Sequence, residues 1–374
     1  MRLISCLFLL CCFIPFSTLV AAPASVASAF ELVPERNGLL KGQKSEFQPS
    51  RSKTFEIPFE LAESNRIVIQ LYSADSDLIR TLSSGKSLGA GVHKLVWDGK
   101  DSEGNIVPDE AYIPVLLKIK DGKNSILDDP RSYSGGEIID KIDYRLRNKT
   151  EISYDLPVPS RVLIRAGIRN GPMMRAFTHW AARSAGKVVQ RWDGYDKDKV
   201  EHFANHPNTW VLVMAYQLPK FSIITSGNKT IDYRSYRKKR GWNNPKVDVT
   251  KIKLHREGKR LEREYFLPRS FLPRIDFSFK DELPLSKNKL PVVSGATRFV
   301  MTIPKEDRWI LESTMYEVSL FIDYEFQGEE EQGFVPIVWK WTPKDIKPGR
   351  HIATMQITGY GGYVVAKTIA FEVE

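Results

Sequence analysis

From about residue 53 onward, apolar and polar positions alternate at period two, in short runs separated by turn-forming residues. Phe55, Ile57, Phe59 and Leu61 interleave with Glu56, Pro58 and Glu60, and residues 67–72, 93–97 and 112–119 follow the same rule. A strand sends successive side chains to opposite faces, so this pattern predicts strands with one face buried. Later in the chain, residues 297–303, 316–324, 336–341, 351–358 and 364–373 predict a further set, with the turn Lys347-Pro348-Gly349-Arg350 inside it. Helical periodicity is nearly absent. Short strands at ~8–12-residue spacing with turns between them point to sandwiches rather than to parallel βαβ units.

The pattern repeats. Val96-Trp97-Asp98-Gly99 returns 95 residues later as Arg191-Trp192-Asp193-Gly194, and Asp101 returns as Asp196. At the same offset, without a gap, Glu56 matches Glu151, Ile57 Ile152, Leu61 Leu156, Arg66 Arg161, Ile69 Ile164 and Arg80 Arg175. Ala90-Gly91 matches Ala185-Gly186. A looser version, Val338-Trp339-Lys340-Trp341-Thr342, stands near the C-terminus. The expectation is an all-β chain of tandem immunoglobulin-like β-sandwiches, three modules after a cleaved signal peptide. Trp97, Trp192 and Trp339 are expected in their cores.

The segments Val68-Ile69-Gln70-Leu71-Tyr72, Leu78-Ile79-Arg80-Thr81-Leu82, Gly91-Val92-His93 and Trp97-Asp98-Gly99-Lys100-Asp101 carry a resemblance. They resemble the Ig-like domain of the flagellar hook-capping protein family, over about residues 53–120 and, more loosely, 148–216. The first copy has Ala74-Asp75-Ser76-Asp77 in place of the family's Asp-x-Gly, and the second has Gly167 where the family's Tyr would stand. The resemblance implies a fold and little about activity. A hook cap carries no cleaved signal peptide, so flagellar assembly is not what it implies here. The C-terminal stretch resembles bacterial Ig-like modules appended to surface proteins and polysaccharide enzymes.

Met1-Arg2, an apolar run through Val20 and small residues to Ala29 read as a secretory signal peptide. All three cysteines (Cys6, Cys11, Cys12) fall inside it, so the mature chain is expected to be thiol-free and held by its cores alone. A retained anchor or a lipidated Cys11 is the alternative. The expected organisation is a signal peptide at 1–29, a polar linker at 30–52 and modules at 53–130 and 137–233. A basic hairpin or connector at 234–279 and a module at 280–374 complete it. The expected location is periplasmic, or secreted to the cell surface, with no membrane span in the mature chain.

Charge marks one place for a partner. The chain's excess of ten positive charges equals that of residues 234–274, which hold 14 Lys/Arg against four Asp/Glu. Arg234, Arg237, Lys238, Lys239, Arg240, Lys251, Lys253, Arg256, Lys259 and Arg260 form the candidate contact surface, read as a hairpin because Ile252, Leu254 and Leu261 alternate with the charges. Its partner is expected to be an envelope protein or an anionic surface polysaccharide, not nucleic acid. A solvated connector with no partner is the plainer reading. A second candidate contact is a loop bearing His179, Trp180 and Arg183, with packing onto a neighbouring module as the competing role.

Catalytic signatures are missing: there is no Gly-x-Ser-x-Gly, His-Glu-x-x-His, phosphate-binding glycine loop or cysteine nucleophile. No catalytic residue, cofactor or metal is expected. Asp98, Asp101 and Glu103 read as turn residues before a Ca²⁺ site. His202 and His206 have helical metal spacing, but Pro207 disfavours a helix there. The expectation is therefore a non-enzymatic structural or adaptor protein of the bacterial envelope, with a carbohydrate-binding accessory protein at the cell surface as the second reading.

Overall fold

A computed structural model of the chain describes residues 37–42, 44–51, 54–242, 248–269, 272–309, 311, 315–359 and 362–374. The expected signal peptide with its three cysteines lies outside the described residues. The rest is all-β: three immunoglobulin-like sandwiches in tandem.

The first sandwich is built from β1 (Gly38–Leu39), β2 (Glu46–Phe47), β3 (Phe55–Leu61), β4 (Asn65–Tyr72), β5 (Leu78–Leu88), β6 (Gly91–Trp97), β7 (Ala111–Lys120) and β8 (Lys123–Asp128). One sheet runs β1-β3-β6, and the facing sheet contains β7, β4 and β5 in that order. Ile57, Phe59 and Leu61 point inward from the first sheet and Ile67, Ile69 and Leu71 from the second, as their alternation requires. Trp97 is fully buried between Phe47 and Tyr112, and its indole N–H donates to the Lys100 carbonyl at 2.9 Å.

The second sandwich repeats that plan with β9 (Tyr144–Arg147), β10 (Glu151–Leu156), β11 (Ser160–Ile168), β12 (Met173–Arg183), β13 (Gly186–Arg191) and β14 (Thr209–Gln217). Its sheets run β13-β10-β9 and β12-β11-β14. Trp192 sits between Phe177 and Phe203 with ring centroids 4.8 and 5.0 Å away, and its N–H reaches the Lys149 carbonyl at 3.1 Å. The two repeat tryptophans thus occupy matching core positions while their N–H groups use different acceptors.

Three strands cross the expected boundaries. β1 and β2 lie in the stretch read as a polar linker (30–52), yet they pair in the first sandwich and bury Leu39 and Phe47 in its core, because strands of two residues show no period; β15 crosses from the other side. β15 (Ile223–Thr225) follows the second sandwich in sequence, inside the 137–233 module read from the pattern, but hydrogen-bonds in the first. It pairs antiparallel with β7 and parallel with β2, placing fully buried Ile223 in the first core. A three-residue strand has no periodicity to betray which sheet it joins.

The connector also departs from the expected hairpin. It opens as α1 (Tyr233–Lys239), and among its described residues only β16 (His255–Arg256) and β17 (Lys259–Arg260) form a hairpin. Asp232 caps α1 by accepting the Ser235 N–H at 2.9 Å, and Gly241 follows the helix at φ +67°. Tyr233, Tyr236 and Arg237 share its buried face at i, i+3 and i+4. An inward face made of two tyrosines and an arginine reads as polar in sequence, and seven residues are too few for a period to show.

The third sandwich comprises β18 (Asp276–Phe279), β19 (Val292–Val293), β20 (Thr297–Thr302), β21 (Tyr316–Ile322), β22 (Glu325–Glu330), β23 (Ile337–Trp341), β24 (Gly349–Gly359) and β25 (Val364–Val373). Its sheets run β18-β20-β23 and β19-β25-β24-β21-β22. Phe299, Phe371 and Trp341 are central to this core; Trp339, the expected core residue, is only partly buried at its margin.

Candidate functional site: charged joints between the sandwiches

The side chains with strong chemistry converge where one module meets the next. The first joint is the underside of α1. Tyr236 donates its hydroxyl to Asp101 Oδ2 at 2.9 Å, Arg237 Nε meets Asp77 at 2.9 Å, and Arg240 meets Glu103 at 2.7 Å and Asp101 at 3.3 Å. Arg237 is buried and also faces Asp75 at 3.6 Å. Arg234, at the start of the helix, pairs with buried Asp307 of the third sandwich. Burial pushes the Asp75 carboxyl up. At Asp101, burial is outweighed by the Asn105 N–H, the Tyr236 hydroxyl and the Glu103 N–H, which hold its carboxyl below the usual range.

The repeat explains why Asp101 is available. Asp101 and its counterpart Asp196 both lie fully buried in the turn after the Trp-Asp-Gly motif, accepting backbone N–H groups further along that turn. Arg80 and its counterpart Arg175 both brace the turn, through the Asp101 and Tyr195 carbonyls. In the first sandwich the turn receives α1. In the second it receives the third sandwich: Lys367 meets Asp198 at 2.7 Å, the Thr368 N–H donates to Asp198, and Arg350 reaches Glu201 at 2.8 Å. A turn rich in carboxylates and fixed by its own backbone is a preorganised acceptor for arginine and lysine.

The joint between the first and second sandwiches is centred on a buried ion pair. Arg161 Nη2 meets Glu110 Oε1 at 2.5 Å, with both side chains almost wholly buried. Burial opposes the Arg161 charge, and Glu110 holds the guanidinium protonated. The other Arg161 nitrogen donates to the Trp180 carbonyl at 2.9 Å. The connector then lies on the outer face of β12-β11-β14. There Arg269 donates to the Trp180 carbonyl at 2.8 Å and to the Tyr216 hydroxyl at 2.7 Å, and its backbone N–H reaches Asp75 at 2.7 Å. Glu264 is buried beside it, and that burial pushes its carboxyl up to about 7 although Arg269 and Arg165 pull it down. Arg165 is lowered to about 10 by burial.

The ten cations read from sequence divide into two groups. Arg234, Arg237, Arg240 and Arg256 are committed to internal pairs, the last with Glu137 at 3.0 Å. Lys238, Lys239, Lys251, Lys253, Lys259 and Arg260 are exposed, with Lys251 paired to Asp248. The segment is therefore not one continuous cationic surface: four of its ten candidate charges are tied into internal pairs, because carboxylates distant in sequence are folded against them.

The loop expected at 178–185 is the end of β12. Trp180 is 2% exposed and packs on Leu163 and Tyr216, so it offers no ring to solvent. His179 and Arg183 line an open cavity of about 680 Å³ with Glu46, Asp109 and Asp232. His202 stacks edge-on against Tyr195, while His206 accepts the Asn208 N–H and lies against Tyr324. The two histidines have separate structural neighbours rather than a common point. No cluster of three or more His, Cys, Asp or Glu side chains suited to a metal occurs among the described residues. Asp75, Asp77 and Glu110 acquire their roles from partners tens of residues away, and Glu264 from burial beside Arg269 and Arg165, so the sequence assigned none of them a contact. Arg161 was visible as the repeat of Arg66, Asp101 as the counterpart of Asp196, and Arg234, Arg237, Arg240 and Arg256 through the local charge excess.

No family model matches this chain, and no curated protein matches it. Among solved structures it is similar to FlgD from P. aeruginosa at 23% identity, over 25% of this chain and 66% of that one, with a TM-score of 0.19. It is also similar to the fibronectin(III)-like modules of Clostridium thermocellum CbhA (7% identity, 88% and 89% covered, TM-score 0.20). A third likeness is to a tetra-tandem repeat from the extending region of a large adhesion protein (8% identity, 91% and 74% covered, TM-score 0.20). At TM-scores of 0.20 or below these likenesses carry no argument.

Proposed function

We infer that this chain is a non-enzymatic structural or adaptor protein exported to the bacterial envelope. The observation that carries the reading is how its ionisable side chains are used. Arg161 with Glu110, Arg237 with Asp75 and Asp77, and Lys367 with Asp198 are spent on joining sandwiches. Burying charge costs several kcal/mol per ion unless it is paired with good geometry, so the pairs select one mutual arrangement of modules over others. Fixed spacing between surfaces is what a structural or adaptor component supplies. The exposed cations Lys238, Lys239, Lys253, Lys259 and Arg260 are its proposed contact with an envelope partner. Export rests on the basic and apolar N-terminal segment and on the confinement of cysteine to it.

The test is fractionation of the full-length tagged chain in its native host, with mass spectrometry of the mature N-terminus. The expected result is a periplasmic or surface protein beginning between Pro23 and Phe30. A cytoplasmic chain retaining Met1 overturns the reading. Cross-linking in the same cells is expected to capture an envelope component.

A further inference from the structure

The outward face of the sheet β13-β10-β9 plays no part in the joints. Its register fixes which side chains share that face. Glu151 lies between Arg147 and Arg191, Ser153 between Arg145 and Val189, and Asp155 beside Lys187. The inward positions Ile152, Tyr154 and Leu156 are buried in the core of the second sandwich, so the alternate set must face out. Arg145, Arg147, Asp155, Lys187, Val189 and Arg191 are exposed, while Glu151 and Ser153 are half-buried. Arg147, Glu151, Ser153, Lys187, Val189 and Arg191 line an open depression of about 460 Å³.

Charge on this face is arranged in rows. Arg145 and Arg147 stand along one edge, about 7 Å apart, and Lys187 and Arg191 along the other, about 13 Å apart, with about 10 Å between the two edges across three strands. Arg191 pairs with Glu151 at 2.8 Å, while Arg145, Arg147 and Lys187 enter no ion pair among the described residues. The middle row, Glu151, Ser153 and Asp155, is made of hydrogen-bond acceptors with one hydroxyl.

We propose that this face binds a carboxylated polysaccharide, a chain of uronic-acid type, lying along β10 between the two cationic rows. Such a chain presents carboxylates to the outer arginines and lysine and hydroxyl donors to the Glu151 and Asp155 carboxylates beneath it. A peptide whose side chains are all carboxylates meets the outer rows equally well but is repelled by the acidic middle row. A neutral glycan satisfies the middle row and gains nothing from the cations. Ser153 and the small apolar Val189 leave room between the rows for a sugar ring. The inference rests on the envelope reading for its biological setting, but not for its chemistry.

Binding of the full-length mature chain to polygalacturonate, dextran and poly-L-glutamate, measured calorimetrically at low and high salt, tests it. Polygalacturonate is expected to bind, dextran not to bind, and poly-L-glutamate to bind at least about tenfold more weakly. Salt is expected to weaken binding as the screening length falls from ~10 Å at 0.1 M to ~3 Å at 1 M. Replacing Arg145, Arg147, Lys187 and Arg191 together by Ser is expected to weaken polygalacturonate binding at least about tenfold. If that variant misfolds, Arg147→Glu alone is expected to lower affinity in the same direction. Unchanged affinity in the folded variant, equal binding of poly-L-glutamate, or no polygalacturonate binding by the wild type overturns the proposal. Cellular location is read by the separate fractionation, so either result can fail without the other.

Discussion

Trp180 occupies in the second sandwich the strand position that Gly85 occupies in the first, and both have left-handed backbone, with φ of +47° and +71°. Each lies where β12 or β5 bulges out of register with its partner strand. Glycine adopts that conformation freely, whereas a side chain there is strained. The second copy tolerates the strain because the indole is buried against Leu163 and Tyr216, and because the Trp180 carbonyl accepts from both Arg161 and Arg269. A residue that would ordinarily be a bulge glycine has become the centre of a joint.

Trp180→Ala is expected to destabilise by roughly 3–5 kcal/mol, the usual cost of removing a large buried aromatic. Trp180→Gly should be less damaging by about 1 kcal/mol, because the left-handed backbone is relieved. Denaturant titration of the two variants checks the order; Ala more stable than Gly would refute the strain argument.

The Arg161–Glu110 pair predicts an asymmetry. Removing one partner leaves a buried charge alone, so Glu110→Gln or Arg161→Met is expected to cost roughly 3–5 kcal/mol. The double replacement Arg161→Met with Glu110→Leu should recover much of the loss. Thermal unfolding of the three variants measures the coupling, and additive losses would show that the pair contributes through packing rather than through its charges.

Glu264 predicts a pH dependence. Its folded value of about 7 lies above its ordinary 4.5 because the carboxyl is buried, so the fold favours the neutral acid. That contribution is complete below about pH 4.5 and is lost as pH rises through 7, on the order of 3 kcal/mol in all. Glu264→Gln should flatten the stability profile between pH 5 and 8. A wild-type profile without any fall over that range, after correction for other titrating groups, would count against the buried neutral form.

Core burial of the repeat tryptophans predicts that Trp97→Ala and Trp192→Ala each cost roughly 3–5 kcal/mol. Near-UV circular dichroism and melting temperature would report it. Unchanged melting in either variant contradicts its place in the core.

The proposed cationic contact needs a cleaner substitution set than the helix sequence suggests. Replacing Arg237 and Arg240 would break buried pairs with Asp75, Asp77 and Asp101 and unfold the joint itself. Lys238, Lys239, Lys253, Lys259 and Arg260 are exposed, and their joint replacement by Ser is expected to lower the salt-sensitive capture of envelope material while leaving the melting temperature nearly unchanged. Capture that is indifferent to these five changes would return the segment to the role of a connector.

The features legible in the chain alone are local and periodic. Alternation placed β3 at Phe55–Leu61 and β25 at Val364–Val373, and the offset of 95 made β12 the counterpart of β5 and Trp192 the counterpart of Trp97. Such features are legible because a strand's period shows within a few residues and the Trp-Asp-Gly motif recurs intact at one fixed offset. The tertiary structure alone decided that Ile223–Thr225 completes the first sandwich, that α1 caps Asp101, and that four of the ten candidate cations face inward. It also turned the apparent loop around Trp180 into a buried joint. An ion pair needs only that two side chains meet in space, and Arg161 with Glu110 or Arg237 with Asp77 leaves no period in the chain between them. Charge composition reports how many cations there are; only the fold assigns each one a carboxylate or leaves it to the solvent.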